Sequence, residues 1–193
     1  MCTTVDYNNG TEECVIALVF SCPGTEEEKS QKLVSGKTGE NLDIVLQYLS
    51  KKLSSIFHSA DRYDYRITNS SNIVHPNAND SRTQPLNSEI KAENNLNRLY
   101  SEIKEYKYVI SFGKKAKFAV DSCIEGKKKA PHHIHYRLHL GLQSINRQIK
   151  QDINGNEIVA GKNKNERQKN NQIRLEVIKK ELLAIIQKES KSA

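Results

Sequence analysis

Residues 14–21 read Cys-Val-Ile-Ala-Leu-Val-Phe-Ser, an unbroken apolar run that Pro23-Gly24 brings to a stop. The run is too short for a buried helix and does not alternate, so it predicts a strand buried on both faces. Such a strand needs cover above and below, which commits the chain to helices packed on both sides of a sheet. The remaining periodicities agree. Residues 63–69 and 132–138 alternate as strands do, and 108–112, Tyr-Val-Ile-Ser-Phe, is a second short apolar run. Helices are predicted over 39–57, with Leu42, Val45, Leu46, Leu49, Leu53 and Ile56 at helical spacing, over 85–104 and from Gly113 to Val120. Residues 151–171 are polar and without period and read as a mobile loop. A closing helix follows over 173–187, its apolar face formed by Leu175, Ile178, Leu182 and Ile185. The expected fold is α/β: a three-layer αβα sandwich around a four-stranded, mainly parallel sheet, with all 193 residues in one domain.

In a sheet of this kind ligands bind beyond the carboxyl ends of the strands. That rule points to the segments 21–28, 69–75, 113–117 and 139–146. Pro23-Gly24 makes a tight turn after the first strand and leaves room for a phosphate or base to approach. Gly36-Lys37-Thr38 lacks the upstream glycine and the leading strand of a phosphate-binding P-loop. It reads instead as a helix start whose amides face a phosphate, or as plain helix initiation. The Asn69 carboxamide offers a donor and an acceptor to a base edge, or else caps the following turn. His139 is placed to donate a hydrogen bond to an oxygen that gains negative charge. His133 and His135 share a strand face, but no carboxylate or thiol completes a metal site, so no metal is expected.

Charge narrows the partner. Lysine and arginine exceed aspartate and glutamate by seven, giving a pI near 9.1. Lys114, Lys115, Lys117, residues 127–129, Arg137, Arg147 and Lys150 all flank the predicted strand ends. They are either ordinary solvated charge or a groove that tracks a phosphate backbone, and their position favours the groove. Cys2, Cys14, Cys22 and Cys123 form no C-x-x-C pair and read as reduced thiols. No apolar stretch is long enough to span a bilayer, and the first residues lack a basic segment followed by an apolar one. A cytoplasmic location and no membrane partner are expected.

Taken in order, these segments resemble the uracil-DNA glycosylase superfamily, and most closely the branch whose first motif reads G-E-A-P-G-x-x-E-D. Phe20-Ser-Cys-Pro-Gly-Thr-Glu-Glu-Glu28 and Leu33-Val-Ser-Gly-Lys-Thr-Gly-Glu-Asn-Leu-Asp43 fall in register with its first two motifs. Ile67-Thr-Asn69, Ser111-Phe-Gly-Lys-Lys-Ala116 and His139-Leu-Gly match the next three. The resemblance implies a monofunctional glycosylase that flips a nucleotide out of DNA, hydrolyses its N-glycosidic bond and leaves an abasic site. It implies Asn69, His139 and Ser21 as the catalytic set and Phe20, Cys22, Val34 and Asn69 as base-binding. It implies Pro23, Gly24, Gly36, Lys37, Lys114, Lys115, Leu142 and Arg147 as DNA contacts, with Leu142 wedging into the gap left by the base. The chain also departs from the family. Ser21 stands where the family supplies an acidic or amide group that positions water, with Glu26, Glu27 and Glu28 nearby. Val34 stands where an aromatic ring stacks on uracil, and the iron–sulfur cysteines are missing, so no cofactor is expected. These departures widen the expected substrate from uracil to a modified base, such as a modified phage base removed in antiviral defence. A monomer acting on single- or double-stranded DNA is expected. The alternatives are a catalytically inactive DNA- or nucleotide-binding module of the same fold, and a hydrolase of free nucleosides or nucleotides.

Overall fold

The computed structural model describes residues 7–76 and 81–190. Four strands, β1 (Ile16–Phe20), β2 (Arg66–Asn69), β3 (Tyr108–Phe112) and β4 (His133–Arg137), form one sheet in the order β2-β1-β3-β4. Every pairing is parallel. Seven α-helices accompany them among the described residues: α1 (Thr25–Ser30), α2 (Lys37–Lys52), α3 (Asn87–Lys91), α4 (Glu93–Ile103), α5 (Lys114–Ile124), α6 (Leu142–Gln148) and α7 (Lys164–Ser190). The protein is therefore α/β, with helices flanking an all-parallel four-stranded sheet, consistent with the three-layer αβα class.

The chain divides into two compact units. The first contains the sheet with α1, α3, α4 and α5. Every residue of β1 and β3 is buried, as expected of central strands. On one face Ala17, Val19 and Val109 pack with Ile90, Leu99, Ile103, Ala116, Ala119, Val120 and Cys123 from α3, α4 and α5. β4 is half-buried, as befits an edge. The second unit contains α2, α6 and α7. α2 buries Leu42, Val45, Leu46 and Leu49, and packs on α7. Asn41 binds this unit together, donating to the Leu140 carbonyl at 2.7 Å and accepting from the Asn171 amide at 2.9 Å.

Several boundaries differ from the sequence expectation, each for a local reason. The helix expected over 85–104 breaks at Ala92, whose backbone is extended. The Asn95 side chain occupies the break and donates to the Ile90 carbonyl at 2.9 Å, satisfying a group the interrupted helix leaves bare. α7 starts at Lys164, inside the segment read as a loop. Asn163 is its cap, accepting from the Glu166 amide at 3.0 Å while its own amide donates to the Glu166 carboxylate at 2.8 Å. Residues 162–169 are exposed, so this stretch of helix carries no apolar period to read. The rest of that segment includes a turn closed by a bridge between Gln151 and Glu157, with the Asp152 carboxylate accepting from the Asn154 and Asn156 amides. Further along α7 the buried face uses Ile186, and Ile185 is exposed. α1 and α6 have no counterpart in the sequence pattern. α1 buries no residue and α6 is seven residues long, so neither displays the amphipathic period. Among the described residues no helix is long and apolar enough to cross a membrane.

Candidate functional site

The strand order reverses direction at β1: the chain steps from β1 outward to β2, then crosses back to β3 on the other side. At such a switch point the loops leaving the two central strands part, and the carboxyl ends of β1 and β3 border a crevice. Phe20 ends β1 and is the cross-strand partner of Asn69 at the end of β2. One position earlier, Val19 pairs with Thr68 on one side and Ser111 on the other, facing α4 and α5. Alternation then turns Phe20, Asn69 and Phe112 to the opposite face. There the Phe20 and Phe112 rings stack with centroids 4.8 Å apart, and the His139 ring meets Phe20 edge-on at 6.3 Å. Phe20 is thus the shared neighbour of Asn69 and His139.

Local sequence explains how His139 gets there. Gly113 has φ +97°, and a Cβ on it would lie 3.3 Å from the His139 Cβ. A side chain at this position is excluded both by backbone conformation and by the approach of the histidine. Burial alone lowers the His139 pKa, because the charged imidazolium is poorly solvated there. The ring is therefore neutral near pH 7 and carries one N–H to donate.

Asn69 is nearly buried, and among the described residues its carboxamide makes no hydrogen bond. Its backbone is fixed from behind. Arg98 of α4 donates to the Asn69 carbonyl at 2.9 Å, to Thr68 Oγ1 at 3.2 Å and to the Glu102 carboxylate at 2.9 Å. Asn95 accepts from the same guanidinium at 2.9 Å and donates to the Ser70 carbonyl at 2.8 Å. Thr68 donates to Glu102, which is 4% exposed. Sequence reasoning missed Arg98, Asn95 and Glu102. Their spacing on α4 places them on one helical face, but nothing in the sequence says that this face meets the end of β2. A small cleft lined by Tyr7, Leu33, Thr68, Asn69, Asn72, Arg98 and Glu102 lies beside the network.

The loops after β1 and β2 remain paired beyond the strands. Ser70 N–H donates to the Phe20 carbonyl at 2.8 Å, Ser71 N–H to the Ser21 carbonyl at 3.2 Å, and His75 N–H to the Pro23 carbonyl at 2.9 Å. Ser70 Oγ also donates to the Ser21 carbonyl. The Ser21 side chain is itself buried, and its hydroxyl has no oxygen or nitrogen partner among the described residues; the adjacent Cys22 thiol touches it only weakly. Burial pushes the Cys22 thiol up to about 11, so it stays protonated. The three candidate carboxylates are not equivalent. Glu27 accepts from the Gly24 amide at 2.9 Å and Glu26 pairs with Lys29, both at the start of α1. Gly24 is extended, and a Cβ there would lie 3.1 Å from the Glu27 carboxylate, so glycine leaves room for that bond. Pro23 is buried at the turn.

Val34 is buried with φ 55°, a left-handed backbone that a β-branched residue adopts only under strain. Gly36 faces open space. Among the basic residues, Lys37 pairs with Glu40, Lys115 donates to Asn87 at 2.7 Å, and Lys117 pairs with Asp121 at 2.6 Å. Lys114 and Arg147 are exposed and have no partner among the described residues. Leu142, the first residue of α6, is 38% exposed. Lys37, Leu142 and Arg147 belong to the second unit, and the other predicted site residues to the first. His133 stacks on Tyr108 at 4.8 Å, and His135 lies parallel to the same ring at 6.5 Å, so both histidines serve the sheet edge. Among the described residues no group of three His, Cys, Asp or Glu side chains is arranged to hold a metal ion. Comparison with known families and with curated proteins gives no match to this chain.

Proposed function

We propose that the protein is a monofunctional DNA glycosylase of the uracil-DNA glycosylase superfamily, hydrolysing the N-glycosidic bond of a flipped-out uracil or modified base. The observation that carries this reading is the shared contact on Phe20: Asn69 is its strand partner and His139 touches its ring edge, at the switch point of a parallel sheet. In the reaction the Phe20–Phe112 stack forms an aromatic wall beside the base. The Asn69 carboxamide, which offers both a donor and an acceptor, reads the base edge. Neutral His139 donates to the base oxygen that becomes negative as the bond breaks, and this stabilisation lowers the barrier where charge develops. Ser21 orients the water that attacks C1′. Val34 gives the pocket a smaller, aliphatic lining where relatives carry an aromatic ring, which suits a base larger than uracil. The exposed Lys114 holds a phosphate beside the site. A DNA-directed role together with reduced thiols fits the cytoplasm.

The test is abasic-site formation on duplexes carrying uracil, hypoxanthine or modified cytosines, and on phage DNAs with modified bases. Asn69→Ala and His139→Ala are each expected to lower the single-turnover rate by about 100-fold or more while the fold persists. Wild-type rates in either variant would remove that residue from the mechanism. Salt-sensitive binding with no base released from any DNA would favour a catalytically inactive binding module.

A further inference from the structure

The mechanism above leaves one role empty: Ser21 orients water but is too weakly basic to take its proton. The paired loops that build the Ser21 segment hold a second polar side chain without a partner. His75, in the loop after β2, has a side chain only 1% exposed, and neither Nδ1 nor Nε2 makes a hydrogen bond among the described residues. A buried polar group left unpaired costs about 1–3 kcal/mol, so its retention calls for a cause. Its main chain is fixed against the first-motif loop by the hydrogen bond to the Pro23 carbonyl. Its Nε2 faces the Glu89 carboxylate at 4.0 Å. Glu89 is anchored in turn by Arg82 at 2.9 Å and by the Leu86 amide at 2.6 Å, and these contacts, the Arg82 bonds above all, hold its carboxyl below the usual range.

We propose that His75, oriented by Glu89, is the proton acceptor for the water held at Ser21. The inference rests on the glycosylase reading and assigns the one role that reading leaves open. The main-chain pairing of the two loops sets the Glu89–His75 pair alongside the Ser21 segment, so a base oriented on one ring nitrogen can work with the other. Nε2 directs its proton to Glu89, which leaves Nδ1 with a free lone pair. The bond from C1′ to the base nitrogen breaks and its electron pair leaves with the base, against His139. The water oxygen bonds to C1′, and a water proton passes to Nδ1. The resulting imidazolium is balanced by Glu89, and its proton returns to solvent after product release. The charged groups at the ring are Glu89 of α3 and, through it, Arg82 of the segment before that helix. The Cys22 thiol stays neutral.

The experiment measures single-turnover base release against pH, using whichever of the uracil, hypoxanthine or modified-cytosine duplexes the wild-type protein cleaves. An acidic limb is expected in the wild-type profile, because protonated His75 accepts nothing. His75→Gln should lose about 100-fold or more and flatten that limb, while binding an abasic-site duplex as tightly as wild type. Glu89→Gln keeps the ring but removes the carboxylate that orients it, so the rate should fall by less than in His75→Gln. A His75→Gln protein with wild-type rates, or one slowed with the acidic limb intact, overturns the assignment while leaving the glycosylase reading standing. A wild-type protein that releases no base from any of these duplexes overturns both.

Discussion

His139 carries a consequence that can be measured without a substrate. Burial lowers its folded pKa below the ordinary value of 6.5, so between those two pH values the unfolded chain binds more protons than the folded one. Stability from this group is complete above about pH 6.5 and is lost as pH falls toward the folded pKa. Thermal melts between about pH 7.5 and 5 should therefore show a decline that is smaller in His139→Gln. An equal decline in both proteins would mean that the ring is solvated in the folded state. The position of His139 was legible in the sequence because a histidine after a strand end is placed by topology alone. Its seat was less so. The sequence reads Gly113 as the start of a helix, and only the fold brings the His139 Cβ within 3.3 Å of where a side chain on it would stand. The left-handed backbone of Val34 left no trace in the sequence at all, since strain arises from contacts distant along the chain.

Among the elements, α4 does more than cover the sheet. Its Arg98 bridges Glu102, Thr68 and the Asn69 carbonyl, so the helix fixes the end of β2 and with it the residue proposed to read the base. Removing the guanidinium leaves the nearly buried Glu102 carboxylate without its counter-charge. Arg98→Ala should cost about 3 kcal/mol or more in denaturant unfolding, and Arg98→Ala with Glu102→Gln distinctly less than the sum of the single losses. Additive losses would mean that the two side chains act independently. The strands were readable from apolar runs and alternation, and the sheet followed. The helices were readable only where they are amphipathic. The first turns of α7 are held by the Asn163 cap rather than by burial, and the break at Ala92 depends on a side chain, Asn95, that also reaches the Ser70 carbonyl. Such bonds join residues far apart in sequence, and periodicity cannot register them.

For the whole molecule, the excess of seven positive charges is unevenly available. Lys37 and Lys117 are committed to Glu40 and Asp121, and Lys129 to Glu105, whereas Lys114 stands exposed beside Gly113 and the proposed site. Binding to a duplex should weaken steeply with salt. Lys114→Ala should reduce the slope of log affinity against log salt by about 1, and Lys117→Ala by less. Equal slopes in wild type and Lys114→Ala would place the phosphate track elsewhere. The paired course of segments 20–23 and 70–75 has its own bearing on how such a protein can diversify. Each carbonyl from Phe20 to Pro23, Cys22 excepted, accepts from an amide of the neighbouring segment. An insertion in one loop alone would slip that ladder and carry Ser21 and His75 out of register. Chains that share this fold should therefore change residues within these loops freely, and change their lengths only in concert.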